Sequence, residues 1–128
     1  MTHAIIETNA APGAIGPYSQ AISAGNFLFT SGQIAIVPET GLMNSEPDVK
    51  AQARQVLKNL FAVIEAGGFE PTDVVKTTIF LKEMSHFTEV NDVYAEAFAD
   101  HRPARSTVAV SALPKGALVE IEAICVKR

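Results

Sequence analysis

The sequence is poor in the features that mark several common classes of protein. It has 128 residues with a single cysteine and no tryptophan. One cysteine excludes an intramolecular disulfide and a cysteine-rich metal site. No stretch approaches the roughly 18 apolar residues that a membrane span requires. We therefore expect a soluble globular protein that has no membrane partner.

Positive charge is also scarce. Ten Lys and Arg residues stand against 14 Asp and Glu residues, which gives a formal net charge of -4. Non-specific binding to nucleic acid needs a basic face that displaces counterions from phosphate, so we expect no nucleic-acid partner. Residues 1–14 carry neither the basic leader nor the apolar stretch of an export signal, and this pattern predicts a cytoplasmic protein.

The motifs that hold cofactors and metals are missing. Neither GxGxxG nor GxxxxGK[ST] occurs, so no nucleotide cofactor is expected. His3, His86 and His101 lack the spacing of a metal site, and no recognisable motif activates a Ser or Cys nucleophile. We expect a site without metal or cofactor. Cys125 lies in an apolar strand pattern and is expected to be a packed, inert thiol.

Hydrophobic periodicity predicts two helices. The first spans 48–66, with Asp48 as its N-cap and Gly67 and Gly68 at its end. Its apolar face consists of Val49, Ala53, Val56, Leu57, Leu60, Phe61 and Ile64. Its opposite face is expected to carry Gln52, Gln55, Lys58, Asn59 and Glu65. The second helix is predicted over 87–99, with a buried stripe of Val90, Val93, Tyr94, Ala97 and Phe98.

The remaining periodic segments predict strands. They lie at 4–7, 21–24, 27–30, 74–81, 104–110 and 117–127. The turn chemistry of Gly25-Asn26 predicts a hairpin between the second and third. This order of elements indicates an α/β fold of the α+β two-layer type, with one mixed sheet covered on one face by two helices. A bare sheet face rich in Val and Ile favours a homo-oligomer that closes sheet face against sheet face.

Two charged residues within the last strands stand out as candidates for chemistry. Arg105 opens one strand, and Glu120 lies inside the other, which is largely apolar. If these strands pair as a hairpin, both side chains project from one sheet face near its edge. The planar guanidinium matches a carboxylate in bidentate fashion, and a partly buried Glu with a raised pKa can transfer protons. Together they indicate a site where a small organic acid undergoes proton transfer or hydrolysis.

The residues alone leave a simpler interpretation open. On the residues alone, a structural ion pair or solvated positions are the more common roles for Arg105 and Glu120, as strand charges usually face water. Glu122 lies on the same predicted face as Glu120 and has no assigned role. Gly32, after Ser31 at the end of a strand, lets a backbone amide approach a ligand, although turn formation is the more common role of such a glycine.

Five segments together resemble the RidA (YjgF) family of reactive intermediate deaminases. They are AIGPYSQ at 14–20, FTSGQ at 29–33, VKTT at 75–78, PARS at 103–106 and LPKGALVEIEA at 113–123. The resemblance runs from about residue 3 to the C-terminus. It implies a single RidA-like domain over 1–128 with a chorismate-mutase-like fold. It also implies a homotrimer with three clefts between subunits.

The resemblance further implies an activity. Similar proteins hydrolyse 2-imino acids such as 2-iminopropanoate and 2-iminobutanoate, released by pyridoxal-phosphate-dependent dehydratases, to 2-keto acids and ammonia. By this resemblance Arg105 binds the substrate carboxylate and Glu120 directs the attacking water. The other substrate contacts it implies are Tyr18, Ser31, Gly32 and Thr107. Many members carry Cys where this chain has Thr107, whose hydroxyl can still donate a hydrogen bond.

Two other functions were weighed against this one. A regulatory or sensor protein would bind a small acid in the same cleft with little chemistry. The presence of both Arg105 and Glu120 favours an enzyme, because a sensor needs the guanidinium but not the water-directing carboxylate. An isomerase of the chorismate mutase type rests on fold analogy alone, and fold does not fix function.

Overall fold

The computed structural model describes residues 3–44, 46 and 48–128. Two helices and eight strands are formed by these residues. In chain order they are β1 His3–Ile6, β2 Ala21–Ala24, β3 Phe27–Thr30, β4 Ile36–Val37, β5 Leu42–Met43, α1 Val49–Ala66, β6 Val74–Leu81, α2 Phe87–Phe98, β7 Ala104–Ala109 and β8 Val119–Val126. The predicted helices and the six predicted strands are confirmed to within two residues at each end. The sequence analysis missed the short pair β4 and β5.

One mixed sheet of six strands carries the fold, in the order β1-β2-β3-β8-β6-β7. All neighbours are antiparallel except β6 and β7, which are parallel and are connected through α2. Strands β4 and β5 form a separate small ladder. Both helices lie on one face of the large sheet, where α1 packs against β8 and α2. The predicted two-layer α+β fold is confirmed.

The predicted pairing of the last two strands as a hairpin is wrong. Strand β6 lies between them, with β7 parallel on one side and β8 antiparallel on the other. The crossover through α2 delivers β7 to the far side of β6, as a βαβ unit requires. Every residue of β8 is buried or half-buried, as in a central strand, whereas β7 has several exposed residues and takes the edge.

The first helix begins and ends where the sequence predicts. The Asp48 side chain accepts a hydrogen bond from the backbone N–H of Lys50 at 3.0 Å. After Ala66 the chain turns away through Gly67 and Gly68, and Gly68 adopts a φ of +83°, which glycine tolerates best. The cap therefore satisfies one of the free N–H groups at the helix start.

Two polar residues expected on the outer face of α1 are buried instead. Asn59 is fully buried, and its Nδ2 donates to the carbonyls of Ile34 at 3.0 Å and Ile36 at 2.8 Å. The Gln52 Oε1 accepts from the backbone N–H of Leu118 at 3.0 Å. Buried amides are tolerated when their hydrogen bonds are made. The prediction was wrong for these two residues because they anchor irregular backbone that periodicity does not reveal.

The side of the sheet under the helices forms the core. On β8 the residues Val119, Ile121, Ala123 and Cys125 are buried and alternate with less buried ones, as predicted. The Cys125 side chain is fully buried, and burial, followed by the charge of Asp73, raises the pKa of its thiol to about 12. The thiol is therefore protonated at neutral pH, which confirms the predicted inert cysteine.

The opposite side of the sheet is uncovered in this chain. Phe27 and Phe29 stack there with ring centroids 5.9 Å apart, and each is 45% exposed. Ile5 on β1 and Val108 on β7 extend the apolar surface toward the two edges. Large exposed apolar surfaces of this kind mark association sites. Among the described residues, no helix is both long and apolar enough to cross a membrane.

Candidate functional site

Glu120 lies in an open cleft beside the 12–20 loop. Tyr18 and Gly32 line the same cleft, together with Ile15 and Lys115. We call this space the Glu120 cleft. The structure thus brings together three of the residues singled out from the sequence. The cleft combines a few polar and charged groups with apolar surface, as sites for small ligands do.

The backbone at Gly32 makes room for the Glu120 carboxylate. A Cβ placed on Gly32 would lie 2.8 Å from Cδ and 3.0 Å from Cγ of Glu120 and would overlap its carboxylate oxygen. Burial raises the pKa of the Glu120 carboxyl above its usual range, and the charge of Glu122 raises it further. A carboxylate with a raised pKa is a better proton acceptor, as a group that activates water must be.

Gln20 holds the loop that carries Tyr18. It is 4% exposed, and its Nε2 donates to the carbonyls of Thr8 at 3.1 Å and Pro12 at 2.7 Å. Its Oε1 accepts from the backbone N–H of Thr8 at 2.7 Å. One amide thereby fastens the two ends of the Pro/Gly-rich loop. No pattern in the sequence assigns a role to Gln20, because a single amide after a loop is ordinary and only its burial and hydrogen bonds reveal what it does.

Ser31 fastens the other side of this loop. Its Oγ donates to the carbonyl of Ser19 at 2.6 Å, and its backbone N–H donates to the carbonyl of Gln20 at 2.9 Å. The hydroxyl of Ser31 is therefore occupied within the chain. Its oxygen can still accept a hydrogen bond.

Arg105 lies away from this cleft, in a closely packed crevice between β6, β7 and α2. Its guanidinium carbon is 4.9 Å from the ring centroid of Tyr94 and 5.6 Å from that of Phe87. Thr107 lines the same pocket, which we call the Arg105 pocket. Among the described residues, the buried Oγ1 of Thr107 has no hydrogen-bond partner. A buried hydroxyl without a partner is costly and is poised to bond a ligand.

The Arg105 pocket and the Glu120 cleft lie on opposite faces of the sheet. Arg105 stands opposite Thr77 on β6, and Thr77 stands opposite Ala123 on β8. Residues that stand opposite each other share a face, so Arg105, Thr77 and Ala123 point to the same side. Ala123 is three residues from Glu120, an odd number, so the Glu120 side chain points to the other side. Strands β7 and β8 are also about 10 Å apart, since two strand spacings separate them. The expectation that both groups project from one face is wrong.

A family model described as endoribonuclease L-PSP matches residues 8–127. The chain belongs to the L-PSP family. A relative in this family, 2-iminobutanoate/2-iminopropanoate deaminase of Escherichia coli K12, is 49% identical over 126 residues, covering 96% of this chain and 97% of that protein. A RutC family protein of Pyrococcus horikoshii is 54% identical over 123 residues, covering 96% of this chain and 97% of its own.

Solved structures agree with this membership. The crystal structure of E. coli TdcF with bound serine matches with a TM-score of 0.93 and 44% identity, over 98% of this chain and 99% of that one. The resemblance to RidA proteins drawn from the five sequence segments is thereby confirmed. L-PSP relatives nevertheless carry different functional names, so family membership alone leaves the reaction open.

Proposed function

We propose that the protein hydrolyses reactive 2-imino acids, such as 2-iminopropanoate and 2-iminobutanoate, to 2-keto acids and ammonia. The observation that carries this proposal is the pair of complementary pockets. One holds a guanidinium beside an unpartnered hydroxyl, and the other holds a carboxylate with a raised pKa in an open cleft. The deaminase name of the E. coli relative supports the same reaction.

The Arg105 pocket suits the substrate carboxylate. The guanidinium presents parallel N–H donors that match both carboxylate oxygens, and the Thr107 hydroxyl adds a further donor. TdcF has been crystallised with serine, a ligand that also carries a carboxylate. We assign carboxylate binding to Arg105 and Thr107 on this basis.

The Glu120 cleft suits the hydrolytic step. Glu120 accepts a proton from water as the water oxygen adds to the C=N carbon, and it returns this proton to the imine nitrogen, which gives a neutral carbinolamine. Transfer of the hydroxyl proton to the amino group, again through Glu120, then breaks the C–N bond, releases ammonia and leaves the C=O group of the keto acid. Holding water, base and imine carbon together supplies most of the acceleration that such a reactive substrate needs. Tyr18 and the backbone at Gly32 line the space around the reacting carbon.

The active site in this proposal is built by two copies of the chain. Within one copy the two pockets face opposite sides of the sheet, so a substrate that touches both needs the Arg105 pocket of one subunit and the Glu120 cleft of another. The uncovered apolar sheet face supports association, and β7 brings Arg105 to the sheet edge. We propose a homotrimer that closes sheet face against sheet face and forms clefts between subunits.

Other parts of the proposal rest on the sequence. We propose a single domain over 1–128 that acts in the cytoplasm on a small-molecule substrate, without metal, cofactor or nucleic acid. The alternative function is a regulatory or sensor protein that binds a small acid in the same cleft without significant catalysis. The generic RutC name of the P. horikoshii relative is compatible with that alternative. Turnover by the wild-type protein would favour the enzyme, and binding without turnover would favour the sensor.

The test is a trapping assay. A threonine dehydratase releases the imine while semicarbazide captures it, and the protein is added in increasing amounts. We expect faster formation of the keto acid and less semicarbazone with the wild-type protein, and no such effect with Arg105→Ala. Undiminished semicarbazone at equimolar protein would remove the enzyme proposal, and binding of a keto acid without turnover would favour the sensor.

A further inference from the structure

The Arg105 guanidinium is held by aromatic faces rather than by carboxylates. Its carbon lies 4.9 Å from the ring centroid of Tyr94 and 5.6 Å from that of Phe87. The residues that the structure describes include one ion pair, Lys50 with Asp92, and it does not involve Arg105. A guanidinium oriented by ring faces keeps its N–H donors for a ligand, whereas a salt bridge would consume them.

Contacts with Thr77 and Phe98 hold the ring of Tyr94 in place. Its hydroxyl and that of Thr77 share a hydrogen bond of 2.8 Å, and both side chains are buried. Thr77 is also the residue that stands opposite Arg105 in the register of β6 and β7. Phe98 packs against the Tyr94 ring, with centroids 4.6 Å apart. The strand that sets the backbone of Arg105 therefore also sets the ring beneath its side chain.

The chemistry of this contact favours a neutral phenol. Burial raises the pKa of Tyr94 above its usual value, although the bond to Thr77 and the charge of Arg105 oppose the shift. A neutral ring attracts the guanidinium through its π face without competing for its donors. Breaking the buried hydroxyl pair would leave one hydroxyl without a partner and would release the ring from β6.

We propose that Tyr94, anchored by Thr77, is a positioning residue that presents the Arg105 guanidinium to the carboxylate of the substrate. This inference rests on the function proposed above, since it assigns the carboxylate to Arg105. Tyr94 touches no reacting atom in this account. Its effect should fall on substrate and product binding, because the carboxylate is held in the ground state and the transition state alike.

The experiment compares two buried aromatic residues, of which only one contacts Arg105. Tyr94→Leu removes the ring under the guanidinium. Phe69→Leu removes a buried ring whose cationic neighbour is Lys127 and which, among the described residues, stacks on neither Tyr94 nor Arg105. For each full-length variant we would measure KM, kcat, the thermal melting midpoint and the dissociation constant of 2-oxobutanoate by calorimetry. Phe69→Leu is the control for a merely structural role, because it also removes a ring from the core.

The expected results differ between the two variants. Tyr94→Leu should raise both KM and the dissociation constant of 2-oxobutanoate about tenfold, the size expected for a partly desolvated cation–π contact, with kcat within about twofold. Phe69→Leu should lower the melting midpoint and leave KM and the dissociation constant unchanged. Equal changes of KM in both variants, or wild-type binding by Tyr94→Leu, would overturn the proposal.

Milder variants keep the test decisive if Tyr94→Leu does not fold. Tyr94→Phe and Thr77→Val each remove one side of the hydrogen bond, and each should weaken 2-oxobutanoate binding about two- to fourfold. Because both act on one hydrogen bond, the double variant should bind no more weakly than the weaker single variant. Additive losses, or no loss in any of the three, would contradict anchoring of the ring by Thr77.

Failure of the proposed function gives a different pattern. If the wild-type protein shows no deaminase activity but binds 2-oxobutanoate, the function fails, and the comparison of dissociation constants still decides the role of Tyr94. If the wild-type protein is active and Tyr94→Leu keeps its KM and its dissociation constant, the positioning role fails and the function stands. A wild-type protein that does not bind 2-oxobutanoate overturns the positioning role.

Discussion

The Glu120 cleft and the Arg105 pocket are built in different ways. The cleft is open, and its functional groups are positioned by backbone, through Gly32 and the loop that Gln20 fastens. The Arg105 pocket is closely packed within one chain and is formed by side chains on β6, β7 and α2. We therefore expect the two sites to contribute to different steps of the reaction. Changes of backbone shape in the cleft should impair turnover, whereas changes of side chains in the pocket should impair binding.

Among variants that keep both Arg105 and Glu120, the largest effect should come from adding one methyl group at Gly32 in the Glu120 cleft. In Gly32→Ala the new Cβ overlaps the Glu120 carboxylate and displaces it. We expect kcat to fall about 100-fold, since a misplacement of about 1 Å can cost that much, with little change in KM. Gly13→Ala is the matched control, because it lines the same cleft and its Cβ meets nothing within 4 Å. Equal losses in both variants would contradict a specific contact between Gly32 and Glu120.

A smaller effect should appear in the pH profile. Glu122 raises the pKa of Glu120, so Glu122→Gln should lower that pKa toward its usual value. If Glu120 is the proton acceptor, activity is lost as pH falls through its pKa, and the variant should keep activity to lower pH. The measurement is kcat/KM against pH, with Glu65→Gln on α1 as the control. If the fall of kcat/KM at low pH is unshifted in Glu122→Gln, or moves to higher pH, Glu120 is not the base.

The smallest effect should come from the hydroxyl in the Arg105 pocket. Thr107→Val removes a buried hydroxyl that lacks a partner among the described residues. We expect KM to rise about threefold, the size of one neutral hydrogen bond, while kcat is unchanged. The melting midpoint should stay equal or rise, because an unsatisfied polar group is lost. Thr107→Ser retains the hydroxyl and should bind as the wild type does. Wild-type KM in Thr107→Val would remove Thr107 from the set of substrate contacts.

Local patterns in the sequence predict most of the elements of the fold. Strand β6 and the β2–β3 hairpin match their predicted ranges, and α1 begins at the predicted cap of Asp48. The neighbour of β7 was not predictable in the same way, because alternation along a strand determines its faces but not its partner. The burial of Asn59 was missed for a related reason: its hydrogen bonds join α1 to backbone 23 and 25 residues away.

The candidate site was predictable only in part. Arg105 and Glu120 attract attention as charges within strands, and Tyr18 and Thr107 enter through the resemblance to RidA proteins. Gln20 and Tyr94 were missed as site residues because a loop amide and a core aromatic look ordinary in sequence. Arg105 and Glu120 face opposite sides of one sheet because of the register in which β7 and β8 pair with β6. No local pattern in the sequence contains that register.

Mixing two inactive variants tests the central claim most directly. Arg105→Ala and Glu120→Gln are each expected to be inactive alone. If each site takes Arg105 from one subunit and Glu120 from the next, random 1:1 oligomers formed by co-refolding should regain about one quarter of the wild-type activity. A site that uses both residues of the same chain would give no recovery. Recovery near one quarter is the result we predict, and a mixture as inactive as its components would contradict the account.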